Sequence, residues 1–250
     1  MSKERIDKIL SHEGFGTRKG IRKLLRVSEV TVNGERIFDT GFSVNPDKDE
    51  IKIDGESVNI RKNIYLMMNK PQDVVSANKD GLHQTVFDLL DLNYHTPYLE
   101  SNLHLVGRLD IDTEGLLLFT TDGELTHRIT SPKTHSPKTY FVRLRDSENL
   151  ERQNKITSDF KNGIEIPPEG KESGALLKPA FLEWKSENEC ILTISEGKFH
   201  QVKRMFAVCA NEVVYLKRLS IGSLKLDESL QPGEYRDLTQ EEIDSLIENK

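Results

Sequence analysis

Cysteine is nearly absent from this 250-residue chain: only Cys190 and Cys209 occur, both among apolar neighbours and at no metal-ligand spacing. That sets aside a disulfide scaffold and a zinc centre, and predicts two buried thiols. No segment approaches the ~18 consecutive apolar residues of a membrane-spanning helix. The opening MSKERIDKIL lacks the apolar centre of a secretion signal, so a cytoplasmic protein is expected. A glycine-rich phosphate loop, internal repeats and low-complexity tracts are also missing. The chain has 36% hydrophobic and 30% charged residues, the balance of a soluble globular protein with room for a sizeable core. A net charge of −6 argues against non-specific nucleic-acid binding and leaves specific binding open, because the placement of the basic residues decides it.

Those basic residues are polarised. Met1 to Arg36 holds nine Lys/Arg against five Asp/Glu, while the chain from Thr239 onward is acidic. Residues 1–58 read as a small α/β module. Ile6, Ile9 and Leu10 share one helical face. Thr17 can cap a second helix, RKGIRKLLR, with Ile21, Leu24 and Leu25 on its apolar side. Arg18, Lys19, Arg22, Lys23 and Arg26 occupy the other side. Asn33-Gly34 between Val30-Thr31-Val32 and Arg36-Ile37-Phe38 marks a hairpin, and Ile51–Ile53 with Asp54-Gly55 closes the unit. A charged helix face is usually only solvated. Here acids barely dilute the positives and a hairpin adjoins them, which favours RNA.

The stretch around which the rest is organised runs from Leu105 to Thr121. Leu116-Leu117-Leu118-Phe119, bounded by Gly115 and by Asp122-Gly123, reads as a buried strand, so Asp110 just before it is held by the core. Three readings compete there. Asp110, Asp112, Glu114 and Gly115 imitate the start of a calcium loop, but its twelfth position is Thr121, and a strand occupies the place of the helix. Arg108 and Asp110 could form a surface ion pair. Alternatively Asp110 is a nucleophile or base, which needs a cation to keep it ionised and an aromatic face for a ring. Lys203 or Arg204 and Tyr140 are available, though spacing alone cannot bring them together.

The remaining elements frame this loop. A polar link over residues 57–63 leads to a strand, Tyr65–Lys70, that Pro71 ends. A short helical pattern surrounds Val86, Leu89 and Leu90. A helix is expected over Glu124–Ile129, an alternating strand over Lys138–Leu144, and a peripheral helix and loop over residues 146–176. A buried strand at Ile191–Ile194 precedes a helix whose core side is Val202, Met205, Phe206 and Cys209. Strands follow around Val213–Leu216 and Ser223–Leu226, and Thr239 caps a last helix with Glu241 and Glu242 in its first turn. Trp184 reads as packing and His200 as a structural hydrogen-bonding group. His104, His127 and His135 carry no readable role.

RIDKILSHEGFGTRKGIRKLLRVSEVTVNGERI resembles an S4 domain, an RNA-binding module. GRLDIDTEGLLLFTTDGELTHRITSP, KTYFVRL and LTISEGKFHQVKRMFAVCANEV, in that order, resemble the pseudouridine synthases of bacterial ribosomal RNA, and with the S4-like front the small-subunit branch of that family. The resemblance implies an α+β protein: an S4-like module, residues 1–58, then a catalytic domain, residues 63–250, on a mixed, largely antiparallel sheet. It implies Asp110 as the catalytic carboxylate, Tyr140 as the platform for the target base, and Lys203 as the carboxylate's partner with Arg204 as the alternative. Arg108 would fill the space the base vacates or bind a nearby phosphate, and Phe199 would line the site. Arg18, Lys19, Arg22 and Arg26 would hold RNA. One departure stands out: KPQDVVS has Asp73 where relatives usually have glycine, and aspartate tolerates a positive φ better than most residues.

The implied reaction is isomerisation of a uridine in 16S rRNA, free or in an assembling small-subunit particle, by a monomer away from membranes. It breaks N1–C1′, turns the uracil and rejoins it through C5, with no cofactor or metal. Asp110 would either attack C1′ or take a ribose proton. Two rivals remain: modification of 23S rRNA, and a non-catalytic RNA-binding assembly factor.

Overall fold

In a computed structural model of the chain, residues 3–46, 48–58, 60, 63–131 and 136–248 are described. Part of the predicted 57–63 link, and His135, lie outside them. The chain divides into two compact units: residues 1–64 with 87–104 and 120–122, and residues 65–86 with 105–119 and 123–250.

The first unit carries helices α1 (Ile6–His12) and α2 (Arg18–Val27). Thr17 caps α2 as expected, its hydroxyl accepting from the Gly20 amide at 2.9 Å. A four-stranded sheet follows, with β1 (Val30–Val32) between β2 (Glu35–Arg36) and β3 (Ile51–Ile53), and β4 (Glu56–Ser57) beside β3. Both hairpin turns use the left-handed region, with φ 51° and 83° at Asn33-Gly34 and φ 50° and 88° at Asp54-Gly55. Ile6, Ile9, Leu10, Ile21, Leu25, Val30, Val44 and Ile51 form the core. Leu24 is only partly buried. Arg18, Lys19, Arg22, Lys23 and Arg26 are all exposed.

The same unit includes α3 (Pro97–Asn102), where Thr96 caps the helix and Pro97 takes a first-turn position that needs no amide donor. The helical pattern read around Val86–Leu90 is instead a run of turns. Helix α3 forms where a cap and a proline start it, and three apolar residues without a cap do not.

The second unit is built on a nine-stranded sheet. Its main path is β8 (Phe181–Trp184), β9 (Glu189–Ile194), β7 (Lys138–Leu144), β10 (Val213–Ile221), β6 (Glu114–Thr120), β5 (Tyr65–Lys70) and β11 (Tyr235–Asp237). The β8/β9, β9/β7, β7/β10 and β5/β11 pairs are antiparallel, and β10/β6 is parallel, so the sheet is mixed and largely antiparallel. Helices α4 (Gly123–Thr130), α5 (Leu150–Asn162), α6 (Gln201–Val208) and α7 (Gln240–Glu248) complete the unit.

Leu116, Leu117, Leu118 and Phe119 are at most 2% exposed, as the apolar run required. One core cluster joins Met67, Leu116 and Leu118 to Leu125, Ile129, Ile221, Leu238 and Leu246. Thr239 and Glu242 cap α7 reciprocally: the Glu242 carboxylate accepts from the Thr239 amide at 2.8 Å, and the Thr239 hydroxyl from the Glu242 amide at 3.2 Å. Cys190 and Cys209 are buried free thiols.

Candidate active site

The second unit contains a cleft of about 1040 Å³ lined by residues 107–113, Lys138, Tyr140, residues 194–203 and Arg218. Its centre is the loop from Arg108 to Thr113, which enters β6. The loop's own peptide groups are held from several directions. Ser76 Oγ donates to the Leu109 carbonyl at 2.8 Å and accepts from the Leu109 amide at 3.2 Å. The Asp73 amide donates to the Ile111 carbonyl at 2.9 Å. Asp73 sits at φ 62°, the left-handed conformation that glycine or aspartate adopts most readily. The substitution noted in the sequence therefore leaves the turn intact.

Lys70, wholly buried at the end of β5, donates to the carbonyls of Pro71, Ile111 and Thr113 at 2.9, 3.2 and 2.9 Å. Burial pulls its pKa down to about 8, against the opposing pull of Asp112, Asp110, Glu114 and Asp73. From the other side, Arg218, 2% exposed, donates through Nε to the Leu116 carbonyl at 2.8 Å and through Nη1 to the Arg108 carbonyl at 3.4 Å. Gly115 faces Arg218 across the parallel β10/β6 pair at φ 101°, and a Cβ there would lie 2.2 Å from the Arg218 carbonyl oxygen. Only glycine fits that approach. Two buried cations thus clamp the loop by its carbonyls and leave its side chains free to face the cleft. Neither Lys70 nor Arg218 figures in the sequence-based site.

Asp110 is about a third exposed. Lys203 Nζ lies 3.4 Å from its Oδ2 and 2.6 Å from Oδ1 of Asp112, so one ammonium serves two carboxylates. Asp112 enters the sequence argument only as a rejected calcium ligand. Between the neighbours Lys203 and Arg204, the structure brings the lysine to Asp110. Consecutive helical residues point about 100° apart, so only one can face the loop. Arg204 is 6% exposed and does not line the cleft. It donates to the carbonyls of Phe199 (3.0 Å), Ser173 (3.1 Å) and Pro167, fixing the 167–173 loop. Arg204, the alternative partner for Asp110 and a candidate substrate-binding residue, is thus held by that loop and away from the cleft.

Tyr140, on β7, is buried with its ring on the cleft wall, and β7 pairs it with Leu192 and Arg218. Arg108 lines the cleft and is exposed, and no carboxylate among the described residues lies within ion-pair distance of it. Phe199 lines the cleft, 43% exposed, its ring stacked on His200 with centroids 3.7 Å apart. Lys138 completes the floor, donating to the Ser136 carbonyl at 3.1 Å, with its pKa lowered by burial and by nearby Arg218. Arg18, Lys19, Arg22 and Arg26 belong to α2 of the first unit. Trp184 is a packing residue, as expected, and its indole donates to Thr157 Oγ1 at 3.1 Å.

A carboxylate held beside an ammonium, with a tyrosine ring and a free arginine in one groove, can ionise, attack or deprotonate a sugar and hold a planar base. Residues 64–208 match the RNA pseudouridylate synthase family and residues 4–51 the S4 domain. The chain is 46% identical over 249 residues to the uncharacterized RNA pseudouridine synthase YtzG of Bacillus subtilis, covering 98% of each. It is also 46% identical over 244 residues to the ribosomal small subunit pseudouridine synthase A of Vibrio parahaemolyticus, covering 97% of this chain and 99% of that protein. The crystal structure of a pseudouridylate synthase superposes with a TM-score of 0.65 at 42% identity, over 97% of this chain and 99% of that one. The chain belongs to the RNA pseudouridylate synthase family and carries an S4 domain at its N-terminal end.

Proposed function

We propose that this protein isomerises one uridine of 16S ribosomal RNA to pseudouridine, as a cytoplasmic monomer, with Asp110 as the catalytic carboxylate. The observation that carries the reading is Asp110 held 3.4 Å from Lys203 in a cleft walled by Tyr140. Either route, attack on C1′ or removal of a ribose proton, uses that carboxylate, and the Lys203 side chain faces its charge. The target nucleotide must leave its stack, at a cost of a few kcal/mol, and stacking on Tyr140 with Phe199 at the rim offsets part of that cost. Arg108, exposed beside Asp110, is placed to enter the space the base vacates or to meet a phosphate. The S4 domain, within residues 1–58, supplies docking through Arg18, Lys19, Arg22 and Arg26, and residues 63–250 supply the chemistry.

The small-subunit assignment rests on the relatives named ribosomal small subunit pseudouridine synthase A, among them that of Escherichia coli at 41% identity over 244 residues. Pseudouridine mapping of both large rRNAs, in cells with and without the gene, tests it. Loss of one 16S site is expected. Loss of a 23S site would move the target to the large subunit, and an unchanged map would make the protein an RNA-binding assembly factor.

A further inference from the structure

His200 has more neighbours than a structural histidine needs. It is the N-cap residue of α6, in the left-handed region at φ 47°, and lines the cleft between Phe199 and Lys203. Its Nδ1 is 2.9 Å from Glu169 Oε1, and its Nε2 is 3.9 Å from Asp110 Oδ1. A carboxylate at Nδ1 requires an N–H there. In the neutral ring that choice of tautomer leaves the Nε2 lone pair facing Asp110 and the reacting centre. Glu169 is itself placed by the 167–173 loop that Arg204 anchors, with Arg204 Nε 3.8 Å from Glu169 Oε2. Arg204, Glu169, His200 and Asp110 thus form one line. In it the acid holds the imidazole by a hydrogen bond, a buried cation stands within 4 Å of the acid, and the imidazole stands within 4 Å of the catalytic carboxylate. That is the arrangement of a base held in one tautomer by a third group.

The reaction has a step that needs such a group. Once uracil rejoins C1′ through C5, that carbon carries both the new bond and its original hydrogen, and C6 is double-bonded to N1. Completing pseudouridine requires C5 to lose a proton, its electron pair to form C5=C6, and the displaced π pair to settle on N1, which takes up a proton. Asp110 is engaged at the sugar. Lys203 is taken up by two carboxylates, Asp110 and Asp112. We propose that His200 is a second catalytic residue: Nε2 accepts the C5 proton, and the resulting imidazolium delivers one to N1. The side chain is 29% exposed, so the imidazolium can exchange its proton with water between the two transfers. The proposal rests on the pseudouridine-synthase reading above.

The test uses the full-length protein and 16S rRNA transcripts made with uridine or with 5-deuterouridine, scoring pseudouridine formation in single turnovers. His200→Asn is the informative variant, because asparagine tolerates the left-handed backbone and can still bond Glu169, yet carries no proton between sites. Expected are a slowing of roughly 100-fold, a primary deuterium isotope effect larger than in the wild type, and unchanged RNA affinity. A slowing of less than about tenfold would overturn the proposal, and so would slowing of any size without the larger isotope effect. Should His200→Asn fail to melt cooperatively, Glu169→Ala takes its place under the same two readouts, because it removes the acceptor at Nδ1 that fixes the tautomer. A wild-type protein that forms no pseudouridine in this RNA would defeat the underlying reading, which separates the two failures.

Discussion

Two regions of this molecule are rich in cations and use them in opposite ways. On α2, Arg18, Lys19, Arg22, Lys23 and Arg26 are exposed, and no carboxylate among the described residues lies within ion-pair distance of them. In the cleft unit, Lys70 and Arg218 are buried and bound to backbone carbonyls, and Lys203 is tied to Asp110 and Asp112. A solvated charge keeps its reach and acts on a polyanion at a distance. A desolvated one acts only through the groups it touches, so the same residue types serve as attraction in one place and as geometry in the other.

The largest expected effect tests whether the clamped loop exists for its carboxylate. Asp110→Asn should abolish pseudouridine formation while RNA affinity and the melting transition stay as in the wild type. Tritium release from C5-labelled uridine in rRNA measures it, and activity within tenfold of wild type would remove Asp110 from its role.

The next prediction tests whether a buried ammonium acts only by contact. Lys70→Met should cut the single-turnover rate by roughly 100-fold and destabilise the fold by about 3 kcal/mol, because three carbonyls lose a charged donor. The pH dependence has a definite sign. The pKa of Lys70 is lowered to about 8 in the folded protein, so between there and its unfolded value near 10.4 the unfolded chain binds more protons, and stability rises with pH. The neutral amine has only two hydrogens for three carbonyls, so activity at saturating RNA should fall above about pH 8 while the fold does not weaken. A pH–rate profile beside denaturant titrations separates these trends, and parallel losses would contradict the scheme.

Lys203→Met comes third. It should remove most of the turnover and little RNA affinity. The Lys203 side chain is a quarter exposed and that of Asp110 about a third, so solvent screens the pair and the stability cost should be about 1 kcal/mol or less. Arg204→Met should cost more stability than Lys203→Met, because buried carbonyls lose their donors. Thermal melts and single-turnover rates on both variants compare the neighbours directly.

The smallest effect on chemistry is expected from α2. Replacing Arg18, Arg22 and Arg26 with Ala should flatten the slope of log K against log salt by up to two or three units, at about 0.7–0.9 per lost phosphate contact. The rate at saturating RNA should hardly change. An unchanged slope would mean this face does not meet RNA.

How much of this could be read beforehand depended on whether the cause was local. The strand after Asp110, the Thr17 and Thr239 caps, the two left-handed hairpin turns and the tolerance of Asp73 for positive φ are set by residues a few positions apart, and all were legible. The helix misplaced at Val86–Leu90 shows the limit, since apolar spacing without a cap resembles a helix and folds as turns. The site was legible in its headline groups through motif resemblance, but its supports were not. Lys70 looks like the polar end of an apolar strand, Arg218 like one of the two cations in KRL, and Glu169 like part of a peripheral polar loop. Each acquires its role from a partner tens of residues away. The choice between Lys203 and Arg204 likewise depended on which side of α6 meets the loop.

The two cysteines have a practical consequence. Burial pushes the Cys190 thiol up to about 12 and the Cys209 thiol to about 11, so at neutral pH neither supplies the thiolate that alkylating reagents attack. The native chain is therefore chemically silent toward maleimides. A single cysteine introduced at an exposed position, such as Leu82 at 92% exposure or Lys23 on α2, would be the sole reactive sulfur. A fluorophore attached there would report RNA arrival at one chosen unit without removing either native residue.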